Sequence, residues 1–238
     1  MGLDSGTTAA YQGMVDRAIE RARTAPRPLS SGTAQRVQRN VERFFEAMLT
    51  HGERHAKVAT DERLSPKAIA ADRQRYRREL EQEAAGLISD TRARVESYLA
   101  ATKEAMRPDN APSEDRLANA RADAKMALDG TPGDQLDSTL ADLATSSDAA
   151  MTHLLLLTPW VEYYALGRRD AHLPTVWATT KERLMAEVLD DEGMRAFQSL
   201  DAAEDLAEVP GRLREALWFY LKDTGLPLPD RAHDLIPA

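Results

Sequence analysis

The stretch SPKAIAADRQRYRRELEQEAAGLISDTRARVESYLAATKEAMR, Ser65–Arg107, decides the fold. It runs for 43 residues with no proline after Pro66, and Gly86 is its only glycine. Ser65-Pro66 is a helix start: a hydroxyl cap, then a proline whose missing N–H costs nothing in the first turn. Pro108 closes the stretch, because the residue before a proline is pushed out of the helical region. One uninterrupted helix over this span reaches about 65 Å at 1.5 Å per residue. Its large side chains recur at Ile69, Tyr76, Leu80, Leu87, Val95, Leu99 and Met106, with Ala84, Thr91 and Thr102 completing steps of three, four or seven. That is a thin seam, closer to a coiled-coil stripe than to a broad globular face. Tyr76, Leu80, Leu87, Val95, Leu99 and Met106 are therefore the candidate interaction residues.

Upstream, Thr33–Thr60 reads as a second helix with apolar positions Val37, Val41, Phe44, Phe45, Met48, Leu49 and Val58. ATDERLSP is a short connection, so the two helices form a long antiparallel hairpin over residues 33–107. The second helix outruns the first by 15 residues. Its far end must pack on something else, either the C-terminal half or another copy, and the hairpin is expected to act as an arm.

Residues 1–32 are expected to be a mobile segment with one possible helix, about Thr8–Arg23, carrying Tyr11, Met14, Val15 and Ile19. No basic start leads into an apolar core, so no secretory signal peptide is expected. Gly6 occupies the position where a myristoylation signal wants Ser or Thr. A Ser/Thr-rich start is also compatible with a non-cleaved export signal.

PDNAP, residues 108–112, is the expected boundary. Ser113 caps a helix through Leu117, Ala120, Ala124 and Leu128, ended by Asp129-Gly130. Further helices are expected over 133–145, 173–190, 193–206 and 210–224, giving a compact C-terminal helical bundle over 113–226 and an irregular tail, 227–238. The run Leu154–Leu157 is far too short to cross a bilayer, so no transmembrane segment is expected. Eight of the 13 aromatics fall between Trp160 and Tyr220, which favours a core there because aromatics bury the most area.

No window alternates with period two for long, so the fold class is all-α. The chain has 238 residues, enough for one large or two modest domains. It has no cysteine, which excludes disulfides, thiolate zinc sites and cysteine nucleophiles. Arginine outnumbers lysine 25 to 6 beside abundant alanine, a usage of GC-rich bacterial or viral genomes. Residues 1–107 carry 19 Lys/Arg against 15 Asp/Glu, whereas 108–238 carry 12 against 24. The acidic second half repels nucleic acid and anionic membrane, and suits solubility or a meeting of acidic with basic parts.

Four constellations carry chemistry. His51-Gly-Glu-Arg-His55 puts two imidazoles one helical turn apart, weak metal candidates, but the zincin order places the acid directly after the first histidine. No metal or other cofactor is expected. Arg73, Arg75, Arg77 and Arg78 surround Tyr76, which suits a phosphate backbone. Glu79 and Glu81 lie four residues after Arg75 and Arg77, so a salt-laced solvated face accounts for them better. Asp201, Glu204, Asp205 and Glu208 share one helix face, as a solvated surface or a site for a basic partner, without the full aspartate-rich pattern of diphosphate enzymes. Trp160, Glu162, Tyr163, Tyr164, Arg168, Arg169, His172 and Trp177 form a dense mixed group, the place to look for a small-molecule pocket within 151–178. Glycine-rich phosphate loops and nucleophile elbows are absent.

These features point to a non-enzymatic helical interaction protein, a scaffold or adaptor that docks a protein partner or self-associates through the hairpin. Membrane and nucleic acid are disfavoured as partners, and the location is read as cytoplasmic or left undetermined. A helical enzyme or ligand-binding domain around 151–178, or a secreted effector-like protein, are the alternatives.

Overall fold

The computed structural model describes residues 5–107, 111–131 and 188–223, with the isolated positions 135, 138, 139 and 142. Among these residues there are seven helices and no strand: α1 (Ser5–Thr24), α2 (Ser31–Ala59), α3 (Pro66–Ala105), α4 (Glu114–Gly130), α5 (Asp191–Gln198), α6 (Leu200–Ala207) and α7 (Val209–Asp223). The fold class is all-α. The expected start signals act locally. Ser65 and Ser113 accept hydrogen bonds from the backbone N–H of Ala68 and Arg116, and Ser30, in a stretch expected to be linker, accepts from Thr33 and starts α2 two residues before the expected Thr33. Pro66 is the first residue of α3, as its fixed φ favours.

Two compact units divide the chain, Met1–Thr102 with Gln198–Ala238, and Lys103–Phe197. In the first unit α2 and α3 run antiparallel, tied across by Arg36 to Asp90, Arg43 to Glu83 and Arg54 to Glu79. The inner face of this hairpin is core. Phe44, Met48 and Val41 of α2 lie with Leu80, Ala84, Leu87, Ile88 and Val95 of α3. The same cluster takes in Val15, Ala18 and Ile19 from α1, Leu206 from α6, and Leu213, Leu217 and Leu221 from α7. Burying one such side chain contributes about 1.5–3 kcal/mol.

In the second unit α4 buries Leu117 and Ala124, and Met106 just beyond α3 is fully buried. Arg107 pairs with Glu114 at 3.0 Å. Asp190 accepts from the Gly193 N–H at 2.7 Å and so caps α5. A side chain at Gly193 would be tight, since a Cβ there lies 3.1 Å from Leu189 and 3.2 Å from the Ala105 carbonyl oxygen.

Three expectations change. Residues 1–32, expected to be mobile, contribute α1 and Leu29 to the first core. Their apolar spacing of three and four needed a partner face, and α2, α6 and α7 supply it. The boundary expected at 108–112 is not where the contacts divide, because α6 and α7 pack with the N-terminal helices rather than in a bundle over 113–226. Last, the span 193–206 is two helices, α5 and α6, separated by a turn at Ser199. Helices expected within 133–145 and 173–190, and the tail 227–238, fall wholly or mostly outside the described residues.

The overhang of α3 also finds its partner within the chain. With 40 residues against 29 in α2, α3 runs past its neighbour. There the Tyr98 hydroxyl donates to the Arg27 carbonyl at 2.7 Å, and the Arg27 N–H donates to Ser199 Oγ at 2.8 Å. The link between α1 and α2 thus meets the overhang at Tyr98.

Candidate functional site

The polar centre of the first unit is built where α7 meets the far half of α2. His51 is only 3% exposed, and its Nδ1 lies 2.8 Å from the Tyr220 hydroxyl. Gly52 makes this approach possible. A Cβ at position 52 would lie 3.1 Å from that same hydroxyl, closer than ordinary contact allows. A mid-helix glycine costs about 1 kcal/mol relative to alanine, so it is retained here for space rather than for helix strength.

Burial pushes the Tyr220 phenol up to about 12. Burial also pushes the His51 imidazole down to about 4, with help from the charges of His55, Arg54 and Arg77. Both groups are therefore neutral near pH 7. Tyr220 is the donor of the pair, because a donating imidazole would leave the phenol O–H and the far ring nitrogen both unmet. The His51 ring proton then sits on Nε2, an atom buried without a partner.

His55 follows one turn later, its ring centroid 5.7 Å from that of His51. Its Nε2 is likewise buried without a partner. Burial and then the Arg73 charge lower its pKa. Arg73, on the facing turn of α3, has its Nε–H buried without an acceptor. The charges that depress the two imidazoles are thus positive. Among the described residues no group of three or more His, Cys, Asp or Glu side chains converges as a metal site.

A groove of about 230 Å³ runs along the same hairpin, lined by Arg43, Glu46, Thr50, His51, Arg54, Tyr76, Glu79 and Glu83, with Ala47 and Leu80 at its base. Tyr76 is half-buried. The guanidinium of Arg75 stands 5.0 Å and that of Arg54 5.8 Å from its ring centroid, within cation–π range. The expected helical pairs form, with Arg77 at 2.7 Å from Glu81 and Arg75 at 3.9 Å from Glu79.

The six candidate interaction residues separate. Leu80, Leu87 and Val95 belong to the internal cluster and Met106 is fully buried, so these four present no surface. Tyr76 and Leu99 stay partly open. The acidic face of α6 has basic partners inside the chain: Asp205 pairs with Arg21 of α1 and Arg212 of α7, and Arg212 also holds Glu208. The pocket group Trp160, Glu162, Tyr163, Tyr164, Arg168, Arg169, His172 and Trp177 lies outside the described residues.

Sequence reasoning misses Tyr220, Gly52 and a second polar insertion. Asn40, 4% exposed, donates to Asp90 at 2.7 Å and to Thr91 at 3.2 Å. Asp90 also accepts from Arg94 and Arg36. These bonds, that of Arg94 first and Asn40 next, hold the carboxyl well below the usual carboxylate range. A signal exists for two of these residues: an Asn inside the Val37–Val41–Phe44 stripe and a glycine inside a long helix both break the local pattern.

The chain matches no family model, no curated protein and no solved structure.

Proposed function

We propose that this chain is a non-enzymatic helical interaction protein, acting through the outer face of the α2–α3 hairpin around Tyr76 rather than through its apolar seam. The observation that carries the reading is Tyr76 itself, a half-buried ring flanked by Arg54 and Arg75 over a groove based on Ala47 and Leu80. Tyrosine and arginine around an apolar floor are the residues that dominate binding energy in protein interfaces.

The charges around the groove favour self-association. Arg43 and Arg54 stand on the α2 rim, Glu83 and Glu79 at the same levels on the α3 rim. A two-fold axis lying along the groove brings the arginine rim of one copy over the glutamate rim of the other, so the face is complementary to itself. Light scattering coupled to size exclusion tests this across concentration and salt. The expected result is a discrete dimer that weakens as salt rises and that Tyr76→Ala shifts to monomer. A monomer at every concentration, with Tyr76→Ala indistinguishable from the parent chain, overturns it.

A further inference from the structure

We propose that the cluster of His51, His55 and Arg73 binds a small oxyanion of the phosphate class. The argument starts from unmet hydrogen bonds. A buried donor left without an acceptor costs about 1–3 kcal/mol, and native folds leave few of them. Among the described residues five side-chain nitrogens are buried in this way, and three belong to His51, His55 and Arg73. They fall together rather than at random. The two histidines are successive turns of α2 with rings 5.7 Å apart, and the Arg73 charge is felt at His55.

Each of the three atoms has a reason to be a donor. The Arg73 Nε–H has no other role available to it. His51 carries its proton on Nε2 because Nδ1 is taken by the Tyr220 hydroxyl. His55 can place its proton on Nε2, the tautomer being free to follow the ligand. Three N–H donors beside a fixed positive charge suit an oxyanion better than a cation, although Glu46, Glu79 and Glu83 line the adjoining groove. Arg54 and Arg77 also depress His51, each while paired with a glutamate, Glu79 and Glu81. A divalent metal in the same place would meet the Arg73 charge with only two ligands.

Access is graded. His51 is deep, while the His55 and Arg73 side chains are partly exposed although their unpartnered nitrogens are buried, so an anion would enter from their side as those side chains shift. That depth suits a group with several acceptor oxygens, one of which goes inward while the others stay at the guanidinium. The cluster adjoins the Tyr76 groove, since His51 and Arg54 line that groove as well, but its test reads anion binding rather than association.

The test is a titration of the full chain with inorganic phosphate and, separately, with glycerol 3-phosphate, at constant ionic strength held by chloride. Histidine Cε1–H resonances and thermal shift are followed together. The expected result is saturable movement of the His51 and His55 resonances by at least one of the two phosphates, with the His55 titration moving to higher pH as the anion favours the protonated ring. Arg73→Gln and His55→Ala, both at partly open positions, are expected to weaken binding by about tenfold or more, as loss of a charge-assisted bond does. Arg78→Gln, an exposed neighbour on α3, is expected to bind as the parent chain does. Circular dichroism confirms that each variant is folded. The proposal is overturned if neither phosphate gives a saturable shift, if the two variants bind as the parent does, or if zinc saturates the histidine resonances while phosphate leaves them unmoved.

Discussion

The α2–α3 hairpin contains two buried polar insertions that differ in completeness. At one level Asn40 meets Asp90 and Thr91, and Asp90 is further held by Arg36 and Arg94. Every strong group there has a partner, and the insertion locks the register of the two helices. At the other level His51 has Tyr220 on one ring nitrogen and nothing on the other, with His55 and Arg73 equally open beside it. Both interrupt the same apolar stripe. The first behaves as structure, because a satisfied network specifies one arrangement. The second carries an unmet demand, which is the usual mark of a place kept for something other than stability.

The largest effect should come from breaking the complete insertion. Asp90→Ala strands the Asn40 amide and loses the bonds from Arg36 and Arg94, so a loss of about 2–3 kcal/mol is expected in urea unfolding. Gly52→Ala comes next. The new methyl presses on the Tyr220 hydroxyl, and a loss of about 1–3 kcal/mol is expected by the same measurement. Tyr220→Phe removes only the hydroxyl, and about 1 kcal/mol is expected.

The pH profile separates the two levels. His51 has an ordinary value of 6.5 and a folded value of about 4, so between these the unfolded chain binds more protons. Stability contributed by the neutral ring is fully present above 6.5, falls as pH drops toward about 4, and is then lost. Asp90 has its folded pKa depressed below 3.8, so its contribution is present above that value and is lost only at lower pH. His51→Gln should make the upper window shallower, with His55, also lowered, keeping its share, and leave the lower one. A profile in which His51→Gln changes nothing between pH 6.5 and 4 would break the comparison.

The smallest effect contrasts two glycines of the hairpin. Gly86 lies on α3 with open space around the position of a Cβ. Gly86→Ala should stabilise the chain by about 0.5–1 kcal/mol, opposite in sign to Gly52→Ala. Thermal denaturation of the two variants side by side reads the difference.

Periodicity made much of this legible. Leu80, Ala84, Leu87, Thr91, Val95, Thr102 and Met106 were all visible as one seam, and all are buried. Ile88 was not, because it sits beside Leu87 and widens the stripe. A wider stripe means more than one neighbour, and Ile88 joins a cluster that also holds residues of α1 and α7. The thin seam therefore suggested an arm where the structure has a core. The site was less legible for a simple reason. His51 and Tyr220 are 169 residues apart, and no local pattern encodes a pairing at that distance. Only Gly52 hinted at it, as a helix position that gave up strength without a turn to make. The charge asymmetry was legible in outline: Arg21 and Asp205 join a basic early helix to an acidic late one.

The first unit is assembled from two stretches, Met1–Thr102 and Gln198–Ala238, with the whole of the second unit threaded between them. This has a consequence in time. During synthesis α1, α2 and α3 leave the ribosome well before α6 and α7 exist, by roughly 5–20 s at ordinary elongation rates. Through that interval Val15, Phe44 and Ile88 lack the late helices that finish their burial. Closing so long a loop costs little at equilibrium, since the entropic penalty grows only logarithmically. It costs more in rate, because contacts distant along the chain form late. The newborn protein is thus a client of whatever holds half-made apolar surfaces, until its last described helix docks.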